Sequence, residues 1–411
     1  MVRHLTSVNS SYFLVLSGLL FFANSFLLDG KLSLVLLLTP IWLYLSQDKK
    51  AGIHKGVIIS GLVLLLYFPF HNFLGIASLK DYIKSLLVLL SMLLFINVAM
   101  HYIKKYGQLL DKLFRTLLII NGLFVLISLL LLFVPHLKNL VWYTMSISEG
   151  IEAMPRLKMF TPEASHYSFI TALLFIYFFI RCLFFKVKNP WFLLFLAAVP
   201  LLLSFSLGVI AALVLSFLLL VVLNYQKWFQ WVLPPKKIVF IVLAIIFLLV
   251  LIYFLFPENP LYIRIQNLLE GKDTSGRGRT YESFILGDKV AALKSRFWGI
   301  GPGQLKLIGR DTIVQYYYYL TIPDVIRIPN ATAETLAYYG YLGLFIRIGL
   351  QLFLFIKTKV WTNPFRLWLF LFVFIYQLTG SYINNGYEYI LWILVFTPVF
   401  KELDFTKKTV Q

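Results

Sequence analysis

Three stretches of this 411-residue chain combine residue types that can do chemistry. The first runs Arg156-Leu-Lys-Met-Phe-Thr-Pro-Glu163-Ala-Ser-His166. Arginine offers a planar fork that grips a phosphate at two points. A carboxylate such as Glu163 can take a proton from a hydroxyl, with His166 as a further candidate. The second is Ser275-Gly-Arg277-Gly-Arg279, followed by Arg296-Phe-Trp-Gly299-Ile-Gly301-Pro-Gly303-Gln304. Arginines in a glycine-permissive loop can gather around a pyrophosphate, because glycine lets the backbone come close. No Walker motif is present, so this is not a nucleotide loop. The third is Pro329-Asn330-Ala-Thr-Ala-Glu334-Thr-Leu-Ala-Tyr-Tyr-Gly340-Tyr-Leu-Gly343, with Arg347 following inside an apolar run. Tyr316 to Tyr319 form a four-tyrosine run, in which Tyr317 and Tyr318 are candidates for stacking on sugar rings.

Each stretch has a plainer alternative. Arg156 can snorkel at a membrane surface, and Glu163 and Glu334 can be first-turn carboxylates that suit a helix dipole. Asn330 or Thr332 can cap a helix. Gly340 and Gly343 suit close helix packing. Arg347 can pair with a buried acid such as Glu388, and tyrosines are common in interfacial belts. A single cysteine, Cys182, excludes an internal disulfide and a cysteine zinc site, and none of the six histidines has ligand spacing. Neither a metal nor a cofactor is expected, and the polar stretches hold no Asp-x-Asp motif.

These residues must be positioned by membrane helices. The chain is 60% hydrophobic and only 13% charged, about half the charge a soluble protein carries. Apolar runs near the length of a span recur throughout. The expected fold is all-α and polytopic, one transmembrane domain over residues 1–411. About twelve spans are expected, at roughly 11–28, 32–46, 56–76, 85–100, 116–134, 165–181, 190–204, 207–224, 238–256, 333–356, 366–380 and 388–400. The pair 190–224 reads equally as two short helices meeting at Ser204-Phe205-Ser206 or as one long helix. Residues 11–28 are too long and apolar for a signal h-region and read as the first span.

The net charge of +19 comes from 37 Lys and Arg against 18 Asp and Glu. Twenty of the 37 cations fall in the short loops and termini of one side, against six in the short loops of the other, which by the positive-inside rule puts both termini in the cytoplasm. Residues 257–332 then form a large extracytoplasmic loop between the ninth and tenth spans. Within it, 280–297 reads as a helix lying on the membrane, with Tyr281, Phe284, Ile285 and Ala292 on one face. Nucleic-acid binding is not expected, since no basic soluble module exists.

Taken in order, the motifs resemble the O-antigen polymerase and ligase superfamily of bacterial polysaccharide membrane glycosyltransferases. The resemblance covers about residues 150–350. It rests on the Ser-Gly-Arg segment, the Gly-Ile-Gly-Pro-Gly turn, and Asn330 with Glu334 running into Tyr-Gly-x-Leu-Gly. Ligases of this superfamily usually carry a His-Asn pair where this chain has Pro329-Asn330, which favours a polymerase. Phe160-Thr-Pro-Glu163-Ala-Ser165 is similar to a polymerase signature. The resemblance implies a metal-independent glycosyltransferase of the bacterial inner membrane. It would transfer a growing glycan from undecaprenyl pyrophosphate to a lipid-linked repeat unit, for O-antigen or capsule. Arg156, Arg277, Arg279 and Arg347 would face the pyrophosphate, with Glu163 and Glu334 rival bases and His166 third. Partners would be the lipid-linked substrates, membrane lipids and a chain-length regulator protein. The alternatives are an O-antigen ligase and a flippase or transporter.

Overall fold

The computed structural model describes residues 52–144, 154–224, 278–316 and 326–405, with short stretches between 14 and 41 and a few residues between 263 and 270. The described residues are mostly helical. Among them, four helical stretches are long and apolar enough to cross a membrane. They are α1 (Lys55–Phe73), the 53-residue stretch Leu79–Leu131, α5 (Ala164–Phe184) and α10 (Ala331–Lys357). Shorter apolar helices are α6 (Pro190–Ser204), α7 (Leu207–Leu223), α11 (Pro364–Tyr376) and α12 (Gly386–Phe396). The expected span at 238–256 lies outside the described residues.

Local chemistry explains many of the boundaries. His54 Nδ1 accepts from the Gly56 amide at the start of α1, and Ser78 Oγ accepts from the Asp81 amide ahead of the next helix. The Leu79–Leu131 stretch consists of α2 (Leu79–Tyr106) and α3 (Leu110–Leu131), joined by a 3-10 turn at Gly107–Leu109. The charged connection expected around 101–115 is therefore almost wholly helical. Lys104 and Lys105 stand in the last turn of α2, where cations suit the helix dipole. At 190–224 two helices form. Phe205 adopts a left-handed conformation (φ 45°), which ends α6, and Ser206 precedes α7. Near the amino terminus β1 (Leu27–Leu28) pairs antiparallel with β2 (Leu32–Ser33), so strand pairing sits where the expected first and second spans meet.

The chain divides into two units. The first comprises 1–117, 279–361 and 373–401, and the second 118–278, 362–372 and 402–411. In the second unit α5 packs against α6 and α7. Trp368 lies at the centre, its indole N–H donating to Ser216 Oγ at 3.0 Å. In the first unit α1 and α12 pack on α2.

The described part of the long polar segment is folded. Helices α8 (Tyr281–Ala292) and α9 (Arg310–Tyr316), with the turn between them, build a small core from Leu286, Val290, Ile300, Leu305 and Ile313. Ile328, just ahead of α10, and Ala333 and Ala337 in its first turns complete it. The expected surface helix over 280–297 thus spans Tyr281–Ala292. Tyr281, Ile285 and Ala292 are exposed as anticipated, but Phe284 is half-buried against this core.

The glycine-rich turn has a structural task. Gly340 interrupts α10 with φ 65°, which frees backbone groups on either side of the kink. The Ile300 and Gly301 amides donate to the Ala337 and Tyr338 carbonyls, each at 3.0 Å. In return the Tyr341 and Leu342 amides donate to the Arg296 and Phe297 carbonyls. Gly299, Gly301 and Gly303 all have positive φ, and a Cβ on Gly299 or Gly340 would collide with facing backbone. The turn and the kink are thus one backbone-to-backbone joint, satisfying groups that would otherwise be buried unpaired.

Candidate functional site

Two acid-bearing helix heads emerge, one in each unit. In the second unit, α4 (Pro135–Val141) leads into β3 (Trp142–Tyr143), which pairs antiparallel with β4 (Arg156–Leu157). Arg156 stands opposite Tyr143 and places its guanidinium 4.9 Å from that ring's centre. Leu157, Met159 and Trp142 are buried, and the Trp142 indole donates to the Ser128 carbonyl at 2.7 Å. The chain then turns at Met159 (φ 49°), and Thr161 Oγ1 donates to the Lys158 and Glu163 carbonyls. Glu163 occupies the N-cap of α5 with extended backbone, yet its side chain makes no capping bond. Its carboxylate accepts instead from Ser165 Oγ at 3.0 Å and remains part-exposed. His166 begins the first turn, its amide donating to the Glu163 carbonyl. Arg156, Glu163 and His166 therefore share one ribbon, turn and helix start.

In the first unit Asn330, fully buried, caps α10. Its Oδ1 accepts from the Thr332 and Ala333 amides and from Thr332 Oγ1. Its Nδ2 donates to the Arg279 and Leu378 carbonyls. The Ala331 amide donates to the Gly380 carbonyl. The amides at this helix start are occupied by the protein itself, so they offer no anion cradle.

Glu334, one turn on, is completely buried. Its carboxylate accepts from Arg327 Nη2 at 3.2 Å and from the Ile383 amide at 2.9 Å. Arg327 Nη2 also reaches Asn384 Oδ1 at 2.7 Å, and its guanidinium lies 4.2 Å from the centre of the Tyr382 ring. Burial disfavours the charge on Arg327, but the adjacent Glu334 carboxylate together with Tyr338 and Tyr382 outweighs it, so the guanidinium holds its proton more firmly than usual.

Arg347 sits in the paired geometry, one of the two readings its sequence left open. Nη2 donates to Glu388 Oε1 at 2.7 Å, Nε to Gln377 Oε1 at 3.0 Å and Nη1 to Thr335 Oγ1 at 3.3 Å. Glu388 also accepts from Ser381 Oγ and the Trp392 indole. Gln351 and Gln377 exchange reciprocal bonds beside it. Every guanidinium nitrogen is engaged within the protein, which does not place Arg347 under a phosphate.

Arg279 contributes its carbonyl to the Asn330 cap and its side chain is half-buried. Arg277, Tyr317 and Tyr318 lie outside the described residues. Among the described residues no group of three His, Cys, Asp or Glu is placed to hold a metal ion. Sequence reasoning passed over Arg327, Tyr382 and Asn384. One signal was available: Arg327 precedes Glu334 by seven residues, the spacing of Arg156 to Glu163.

The chain matches no protein-family model and no curated protein.

Proposed function

We propose that the protein is a polysaccharide polymerase of the bacterial inner membrane, transferring a growing glycan from undecaprenyl pyrophosphate to the terminal hydroxyl of a lipid-linked repeat unit. The observation that carries this reading is the head of α5. A part-exposed carboxylate, Glu163, stands at the start of a helix of spanning length, with Arg156 on the preceding strand and His166 in the first turn. In this reading Glu163 accepts the proton of the attacking hydroxyl. Departure of the lipid pyrophosphate from the anomeric carbon is eased by cationic neutralisation of its developing charge, the task assigned to Arg156, Arg277 and Arg279. Glu334 is buried and ion-paired, which suits it to holding Arg327 and the 377–385 segment rather than to taking a proton. The twelve-span topology, cytoplasmic termini and extracytoplasmic 257–332 loop belong to the same proposal.

Glycan length in a deletion strain tests it. Loss of a polymerase leaves single repeat units on the final carrier. Loss of a ligase strands long chains on the carrier lipid, and loss of a flippase traps units inside. Glu163→Gln keeps shape and hydrogen bonding but cannot act as a base. It is expected to abolish polymerisation at unchanged protein level, with Glu334→Gln the weaker lesion. A general base contributes about 10²–10⁴-fold. Full-length polymer from both variants would remove carboxylate catalysis from this mechanism.

A further inference from the structure

We infer that α8 and the turn that follows it form a seat on an anionic lipid surface, and that the edge of the hydrocarbon layer falls at Gly340. The inference rests on the membrane-helix character of the chain and is independent of the glycan reading.

The boundary is marked on the surface of α10. Residues 331–340 are buried within the protein, apart from the half-buried Tyr338. Beyond the kink the surface changes abruptly. Tyr341, Phe345, Ile346, Leu350, Phe353 and Ile356 are all exposed, Phe345 to 71%. An apolar face this open over 16 residues, about 24 Å of helix, approaches the thickness of the hydrocarbon layer. Lipid is the solvent for such a face, so the layer begins where the exposure begins.

The joint at Gly340 fixes what lies at that level. Phe297 offers its carbonyl to the Leu342 amide, and its own side chain is exposed. Trp298 stacks on Phe70 with ring centres 3.8 Å apart, in the last turn of the spanning helix α1. Phe73, at the end of α1, is 90% exposed. Aromatic residues gather at such boundaries.

From this level the exposed apolar surface continues onto α8. Tyr281 and Ile285 are one helical turn apart, and Leu293 and Phe297 extend the row. Cations accompany it. Lys289 and Lys294 are exposed, and the Lys294 ammonium approaches Gly75, two residues beyond α1. Between Thr280 and Arg310 five Lys and Arg stand against two acids. Basic side chains beside an apolar helical face are complementary to an anionic headgroup layer. One consequence concerns Glu334. It lies six residues before Gly340, about 9 Å along the helix, and therefore on the headgroup side of the boundary.

The test uses the full chain with Cys182→Ser as background, in vesicles of phosphatidylcholine with or without phosphatidylglycerol. Single cysteines at Ile285, Leu293 and Phe297 carry an environment-sensitive fluorophore, and lipids carry nitroxides on the headgroup or at mid-chain. All three labels are expected to emit blue-shifted and to be quenched best by headgroup nitroxide, whereas a label at Phe345 is quenched best by mid-chain nitroxide. Water-like emission at the first three positions would overturn the seat. Quenching by nitroxide-labelled phosphatidylglycerol should exceed that by phosphatidylcholine. Lys289→Gln with Lys294→Gln should reduce that preference, by up to about fivefold for each charge removed. Equal quenching by both lipids in the unsubstituted protein would overturn the anionic preference.

Discussion

At the scale of single residues, one buried ion pair marks an arginine that holds the protein together. Arg347 and Glu388 are nearly inaccessible, at 14% and 2% side-chain exposure, and 2.7 Å apart. Removing one partner strands the other, at a cost of about 3–5 kcal/mol. Arg347→Ala is therefore expected to lower the melting temperature in detergent sharply, and Arg347→Met with Glu388→Leu to recover much of the loss. An unchanged melting temperature with shortened glycan would return Arg347 to the substrate. Arg279→Ala behaves differently, because its carbonyl still serves Asn330. It should shorten the polymer, whereas Arg310→Ala in the same segment, at an exposed position, should leave both fold and polymer length unchanged. The sequence displayed both acids and most of these arginines, but not their partners. Glu334 and Arg327 are close in sequence, yet Ile383 and Asn384, which complete their surroundings, are some fifty residues away. No local pattern announces such a meeting.

At the scale of elements, the kink in α10 is the most exacting piece of backbone. Gly340→Ala would force a Cβ onto the Phe297 carbonyl at a positive φ. A loss of about 1–3 kcal/mol is expected, read as a lower melting temperature. Gly208→Ala in α7 is the matched control: nothing lies within 4 Å of the added methyl, so the change should be neutral or slightly stabilising. Helix positions were legible from apolar run length, and α5, α6 and α10 fall within three residues of expectation. The two short helices around Phe205 were one of two readings that periodicity left open. The interruption at Gly340 was not foreseen, because the glycines of Tyr-Gly-x-Leu-Gly read as sites of close helix packing. Its cause lies in the Gly-Ile-Gly-Pro-Gly turn, roughly forty residues earlier. The glycine-rich turn and the Tyr-Gly-x-Leu-Gly motif are the two sides of one joint.

At the scale of the whole molecule, orientation is the main expectation still open to measurement. A cysteine at Asp311, exposed on α9, should react with an impermeant maleimide on intact spheroplasts. Labelling only after lysis would reverse the topology and remove the extracytoplasmic mechanism. Composition made the membrane class plain, but charge bias ranks orientations without building the polar segment, whose core depends on side chains from α8, α9 and α10 together. His71 carries a last consequence. In α1 it meets Tyr82 across a short connection at 2.9 Å and the Trp298 carbonyl at 2.8 Å, 227 residues later. A ribosome adding 5–20 residues per second needs roughly 10–45 s to make that stretch. For that interval the nascent chain holds an imidazole in an apolar helix with one of its two hydrogen-bond partners, the Trp298 carbonyl, not yet synthesised. Biogenesis therefore requires the early hairpin to be sheltered, by water or by the insertion machinery, until the late joint arrives to close over it.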